Sequence, residues 1–187
     1  LKHLKKAIQI LKNKNGLNYG NKKITVSTSG IANKIQEAAE EIGTYLALSL
    51  HAPNDELREK IMPINKKFKI QDLVKQLKYY TSIVKEPIFL EYVMLKGVND
   101  TEQCAKQLVN LMAQFPSKVN LIEFNSWPGV KFEPTERKDI EKFSKYIQDK
   151  GYMSFIRRSR GDDVLAACGQ LRTTSVLKKK SIKQNCF

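Results

Sequence analysis

Hydrophobic positions along this chain switch repeatedly between two spacings. Leu4, Ala7, Ile8 and Leu11 recur at three- and four-residue steps, which predicts a helix ending near Asn15-Gly16. Lys23 to Ser27 then reads as a strand leading into Thr28-Ser29-Gly30. Ile31, Ile35, Ala38, Ala39 and Ile42 return to the helical step, and the continuous run Tyr45 to Leu50 predicts a buried strand ending at His51. A short helix follows around Asp55 to Ile61. Pro63 separates it from a longer one carrying Ile70, Leu73, Val74, Leu77 and Val84, and Ile88 to Leu95 reads as the next strand. Asp100 and Gln103 have the spacing of a capping box, opening a helix whose inner face holds Cys104, Leu108, Leu111, Met112 and Phe115. A strand over Val119 to Asn125, a helix around Ile140, Phe143 and Ile147, and a last strand over Tyr152 to Arg158 complete the pattern.

Five strands separated by helices predict an α/β fold of parallel β/α units, closed or half-closed as a barrel. Ligands in such folds collect at the carboxyl ends of the strands. The polar strand ends are Ser27 to Gly30, Ser49-Leu50-His51, Asn125-Ser126, and the basic run Arg157, Arg158 and Arg160. Taken singly, each has an ordinary role: serines and asparagines turn the chain, and His51 sits at a strand end. Trp127 is either a core anchor or a stacking platform. Their convergence on one edge is what marks a site.

Charge narrows the partners. The 187 residues include 33 Lys and Arg against 19 Asp and Glu, a formal charge of +14. That balance favours a polyanion, RNA or DNA first, over a merely solubilising lysine surface. No apolar run reaches the ~18 residues of a membrane helix, and no signal-type block follows the first residues, so a cytoplasmic protein is expected. Three cysteines, Cys104, Cys168 and Cys186, form neither an even disulfide set nor a close metal-binding group, which fits a reducing compartment. The chain opens without Met on a helix already under way, which suggests the later part of a longer protein.

Cys168 has the sequence surroundings of a reagent. It lies between Ala167 and Gly169 in Arg160 to Leu171, with little side-chain bulk beside the sulfur. Arg157, Arg158 and Arg160 favour its thiolate, whereas Asp162 and Asp163 oppose that effect or act as proton acceptors. A buried structural thiol after a glycine turn is the competing reading.

Several irregular strings carry a closer resemblance: Thr25-Val26-Ser27-Thr28-Ser29-Gly30, Leu48-Ser49-Leu50-His51-Ala52-Pro53-Asn54-Asp55-Glu56-Leu57-Arg58, Pro63-Ile64-Asn65-Lys66-Lys67, Glu91-Tyr92-Val93-Met94-Leu95, and Arg160 to Leu171. In order and content they resemble the RlmN family of radical SAM RNA adenine methyltransferases. The resemblance implies a partial (β/α) barrel of the radical SAM type over residues 1–171, and the five basic residues with no acidic one beyond Leu171 predict a basic, disordered tail over 172–187. It implies S-adenosylmethionine (SAM) contacts from Ser27, Ser49, Leu50, His51 and Asn125, partly through backbone groups. It also implies a methyl-carrying cysteine at Cys168. In that family the carrier is methylated by one SAM; a second SAM, cleaved reductively at a 4Fe-4S cluster, activates the methylcysteine for addition to carbon 2 of an adenine. A second cysteine resolves the adduct through a disulfide bond. The implied substrates are 23S rRNA and tRNA, with flavodoxin or ferredoxin as electron donor and Arg157, Arg158, Arg160, Lys178, Lys179 and Lys180 holding RNA phosphates.

One departure is large. The family's cluster motif is CxxxCxxC, yet the cysteines here are 64 and 18 positions apart. The resolving cysteine and a Gly-Glu-Pro segment are also missing, and Cys186, in a tail with several lysines, is a poor substitute. The expectation is therefore a chain that is inactive by itself. Two alternatives stand beside it: a Cfr-like enzyme acting at carbon 8, and a non-catalytic RNA-binding remnant. A half-barrel is further expected to expose edge strands and an apolar inner face.

Overall fold

The computed structural model describes residues 1–126 and 129–157. Six helices and five strands alternate: α1 (Lys2–Lys12), β1 (Thr25–Thr28), α2 (Ala32–Glu41), β2 (Tyr45–Ser49), α3 (Asp55–Ile61), α4 (Ile70–Val84), β3 (Ile88–Met94), α5 (Glu102–Met112), β4 (Ser117–Glu123), α6 (Arg137–Asp149) and β5 (Ser154–Arg157). The strands form one sheet in the order β1-β2-β3-β4-β5, every pair parallel. This is the expected α/β fold with its partial-barrel order.

Period two along the strands separates the sheet's faces. On β3, Ile88, Leu90, Tyr92 and Met94 are buried while Phe89, Glu91 and Val93 are half-buried. Leu46, Leu48 and Leu50 join the former set, as do Val119 and Leu121, in one core with Ile35, Leu73, Leu77, Leu108, Ile140 and Phe143 from the helices. Sequential parallel strands joined by right-handed crossovers place the helices on one side. The opposite face, bearing Ser27, Ser49, Phe89, Glu91, Asn120 and Phe155, carries no helix among the described residues.

Three local expectations need correction. The cap of α5 is Thr101, whose Oγ1 accepts from the Cys104 amide at 3.2 Å. Asp100 instead accepts from the Gly97 amide at 2.9 Å and the Thr135 hydroxyl at 2.9 Å, because the extended backbone at Thr101 puts that residue, one place later, at the helix mouth. Ala7 is exposed, since α1 rests on the core along one edge and only Ile8 is buried. Strand ends also shift: β4 is Ser117–Glu123, so Asn125 lies in the loop after it, and β5 begins at Ser154 and not at Tyr152. Cys104 is buried, as expected of a core thiol.

Gly30 turns the chain from β1 into α2 at φ +100°, and a Cβ there would sit 3.0 Å from Arg58 Nη2 and 3.2 Å from the Leu73 methyls. Gly30→Ala should therefore lower unfolding stability by about 2 kcal/mol, combining backbone strain with crowding. Denaturant melts of the two proteins check this, and equal midpoints would refute it.

Candidate functional site

The carboxyl edge of the sheet is organised by a cation placed below it. Arg58 lies on α3, which Asn54 opens by accepting from the Leu57 amide at 2.9 Å. The Arg58 side chain is fully buried. Its Nε donates to the Leu50 carbonyl at 3.1 Å, its Nη2 to Ser49 at 3.1 Å and Ser29 at 2.8 Å, and its Nη1 to Asn65 Oδ1 at 3.0 Å. Asn65 in turn donates to Asp55 Oδ1 at 2.8 Å, and that oxygen also receives the Ile70 amide at 2.9 Å. One guanidinium thus joins the ends of β1 and β2 to the start of α4. Burial pushes its pKa down, with Asp55 opposing that shift. The fork of donors makes burial tolerable because its partners are already fixed.

Asn99 does the same one strand further on. Fully buried, it donates from Nδ2 to the carbonyls of His51 at 2.8 Å and Val93 at 2.7 Å, and accepts the Leu95 amide at 2.7 Å. Its own carbonyl receives the Tyr92 hydroxyl at 2.7 Å. His51, held at φ +58°, accepts the Val93 amide on Nδ1 at 3.2 Å. A backbone amide only donates, so the neutral ring carries its proton on Nε2. Burial, with the Arg58 charge added, lowers the His51 pKa to about 4.

The expected ligand-contacting residues occupy this edge in different ways. Ser27 is exposed on β1, in register with Ala47. Ser49 ends β2 opposite Glu91, and His51 follows two residues later. The Leu50 side chain is in the core, and its amide donates to the Glu91 carbonyl at 3.0 Å, so only its backbone reaches the edge. Asn125 is half-buried just beyond β4. Arg157 is exposed at the end of β5, in register with Ile122. Arg158, Arg160, Cys168, Lys178, Lys179, Lys180, Cys186 and Trp127 lie outside the described residues, as does the 172–187 tail.

Two cross-strand rows of the open face lie short of the Val93, Ile122 and Arg157 row. Ser49, Glu91, Asn120 and Phe155 stand side by side across β2 to β5, with Ala47, Phe89 and Lys118 in the row toward the amino ends. Lys118 lies over the Phe89 ring at 5.8 Å, and Tyr45 meets the same ring edge-on at 5.6 Å. Sequence reasoning missed Arg58, Asn99 and the Glu91-Asn120 pair. A signal for Arg58 existed, in a lone Arg that follows Leu57 on a short helix just after a buried strand.

These features place the chain first in a structural class. A radical SAM methyltransferase from Sphaerobacter thermophilus matches it with TM-score 0.85 at 36% identity, over 90% of this chain and 50% of that one. A domain of the pyruvate-formate lyase-activating enzyme from Bacteroides vulgatus shares the fold at TM-score 0.62 and 16% identity, over 83% of this chain and 92% of that domain. More narrowly, the sequence is 46% identical over 179 residues to the dual-specificity RNA methyltransferase RlmN of Brucella anthropi, which spans 95% of this chain and 44% of the relative. The chain is thus similar to RlmN proteins along nearly its whole length and covers less than half the length of the relatives it matches. No protein-family model matches it.

Two outcomes follow from the edge. Arg58→Lys removes the fork that serves three carbonyls and Asn65, and should cost about 3 kcal/mol or more in urea unfolding at pH 7, whereas a loss under about 1 kcal/mol would show the carbonyls do not need it. For His51 the folded-state pKa lies below its ordinary 6.5, so the unfolded chain binds the proton first as pH falls. Its contribution to stability is whole at neutral pH, declines from about pH 6.5 and levels off near pH 4, a loss of roughly 2 kcal/mol by pH 5. His51→Asn, which tolerates a positive φ and can still accept an amide, should lose less stability between pH 7.5 and 5 than the unaltered chain. Identical pH profiles for the two would refute this.

Proposed function

We propose that this chain supplies the SAM-facing and methyl-carrying part of an RNA methyltransferase that acts on carbon 2 of adenine in 23S rRNA and tRNA. The observation that carries the reading is the match to RlmN relatives along 95% of the chain. The strand-end edge agrees with it: the hydroxyls of Ser27 and Ser49 and the Nε2-H of His51 offer hydrogen-bond donors and acceptors beside the Leu50 backbone and Asn125, as a nucleoside with an amino-acid tail requires.

Bound SAM supplies an electrophilic methyl group. Cys168 would accept that methyl as its thiolate, the new carbon-sulfur bond forming as the sulfonium bond breaks, with S-adenosylhomocysteine as the leaving product. Arg157, Arg158 and Arg160 favour the thiolate and, with Lys178, Lys179 and Lys180, hold RNA phosphates in a manner that weakens with salt.

The iron-sulfur cluster of the wider class is a different matter. Among the described residues no group of three His, Cys, Asp or Glu is placed to hold a metal, and Cys104 is buried in the core. The whole sequence contains no CxxxCxxC. These residues do not fit a cluster, so no step of this chain runs through one. The reading assigns the cluster, and the flavodoxin or ferredoxin that reduces it, to a segment resembling the part of the relatives that this chain does not cover. No helix among the described residues is long and apolar enough to cross a membrane. A cytoplasmic setting, where RNA and reduced thiols coexist, suits the reading.

The test is a chimera joining this chain to the part of the Brucella anthropi relative that it does not cover, produced in cells lacking their own enzyme. Mass spectrometry of rRNA and tRNA should find 2-methyladenine, and Cys168→Ala should abolish it. Methylation at carbon 8 would shift the reading to the sister chemistry. Absence of any product from a folded chimera would favour a non-catalytic RNA-binding role.

A further inference from the structure

The open face of the sheet holds a polar atom with no use in the site described above. Glu91 stands at mid-sheet on β3, with Ser49 in register on β2 and Asn120 on β4. Asn120 Nδ2 donates to Glu91 Oε1 at 2.8 Å. The other oxygen, Oε2, is shut off from solvent and has no donor among the described residues. A carboxylate in that position loses hydration at one oxygen and gains nothing in return, whereas nearly all buried polar atoms are paired.

The surroundings say what kind of donor would complete it. Lys118, on the neighbouring strand, is turned over the Phe89 ring. His51 has its Nδ1 committed to the Val93 amide. Phe155, 50% exposed, is in register with Asn120 and adds an apolar aromatic side chain to the same row. An acceptor with an exposed aromatic ring two strands away in the same row suits a nucleoside, which brings hydroxyl and amino donors together with a stackable base. A phosphate backbone is disfavoured there by like charge.

We propose that Glu91 is a ligand-binding residue. With Oε1 pinned by Asn120, Oε2 accepts a hydrogen bond from a hydroxyl or amino group of the nucleoside part of SAM laid across the open face. Asn120 is its positioning residue. A ligand that reaches Oε2 displaces the atoms now covering it, and the unpaired oxygen favours that exchange. The proposal rests on the reading that this edge takes SAM.

The test uses the 187-residue chain and calorimetric titration with S-adenosylhomocysteine. Glu91→Gln keeps the shape and the acceptor for Asn120 but loses the charged acceptor, so affinity should fall roughly tenfold or more. Against the 2′-deoxy, 3′-deoxy and N6-dimethyl analogues, the one that lacks the contacted donor should bind both proteins alike, as in a double-mutant cycle. The melting temperature of Glu91→Gln should equal or exceed that of the unaltered chain, because a partly unpaired buried charge is removed. Equal affinities for S-adenosylhomocysteine in the two proteins would overturn the role of Glu91 and leave the SAM reading standing. Failure of the unaltered, folded chain to bind at millimolar ligand would overturn both. A lower melting temperature with every analogue weakened equally would mark Glu91 as structural, and an effect confined to a short single-stranded RNA would assign it to another ligand; either result overturns the proposal.

Discussion

The candidate site depends on one interaction, a guanidinium held by the carbonyls at the ends of two parallel strands. Parallel strands leave the sheet with their carbonyls unpaired at the same edge, where backbone polar groups must find partners or water. Arg58 answers three of them, at Ser29, Ser49 and Leu50, and Asn65 completes its fork. The result is a rigid edge whose outward groups, Ser49 and His51, are positioned by a donor on the far side. Gly30 belongs to the same arrangement, because any Cβ there would press on that guanidinium.

Asn99 extends this logic from β2 to β3 with a neutral side chain. Its amide bridges His51 and Val93 carbonyls while its oxygen takes the Leu95 amide, so the turn after β3 is tied to the loop after β2. His51 then adopts a left-handed backbone that few residues other than glycine hold, and its ring seals the Val93 amide. Backbone strain, a buried amide and a fixed tautomer are consequences of one another here. The imidazole stays neutral around pH 7, so there it is a hydrogen-bond donor and not a charge.

The fold was legible in the sequence because each element has its own period. Leu73, Val74, Leu77 and Tyr80 are buried on α4 at helical spacing, and Ile88, Leu90, Tyr92 and Met94 on β3 at strand spacing. Both statements follow from which face meets the core. The polar strand ends at Ser49 and His51 were legible for the same reason. Arg58 and Asn99 were not, because their partners are backbone carbonyls, the most distant 29 and 48 residues away in sequence, and a backbone carbonyl leaves no trace in residue type. The cap of α5 was misplaced by one position because Asp100 and Thr101 are both good caps, and only the approach of Gly97 and Thr135 decides between them.

An open parallel sheet is an unusual thing for a chain to present, since parallel sheets are ordinarily covered on both faces. Here the uncovered side mixes exposed Ser27, Phe155 and Arg157 with half-buried Phe89, Glu91 and Asn120. A face meant only to be covered by further helices would be apolar throughout. A face meant only for water would not bring Tyr45, Phe89 and Lys118 into ring contact. The mixture is that of a barrel interior, in which some positions pack and others hold a ligand. The rows differ: Tyr45, Phe89 and Lys118 pack among themselves, the next row toward the carboxyl ends holds Ser49, Glu91 and Asn120, and Val93, Ile122 and Arg157 lie beyond it. Arg58, a buried cation on a short helix outside the sheet, bears on that face through the carbonyls of Ser29, Ser49 and Leu50 that it holds, because those carbonyls fix the strand ends from which the face's polar groups project.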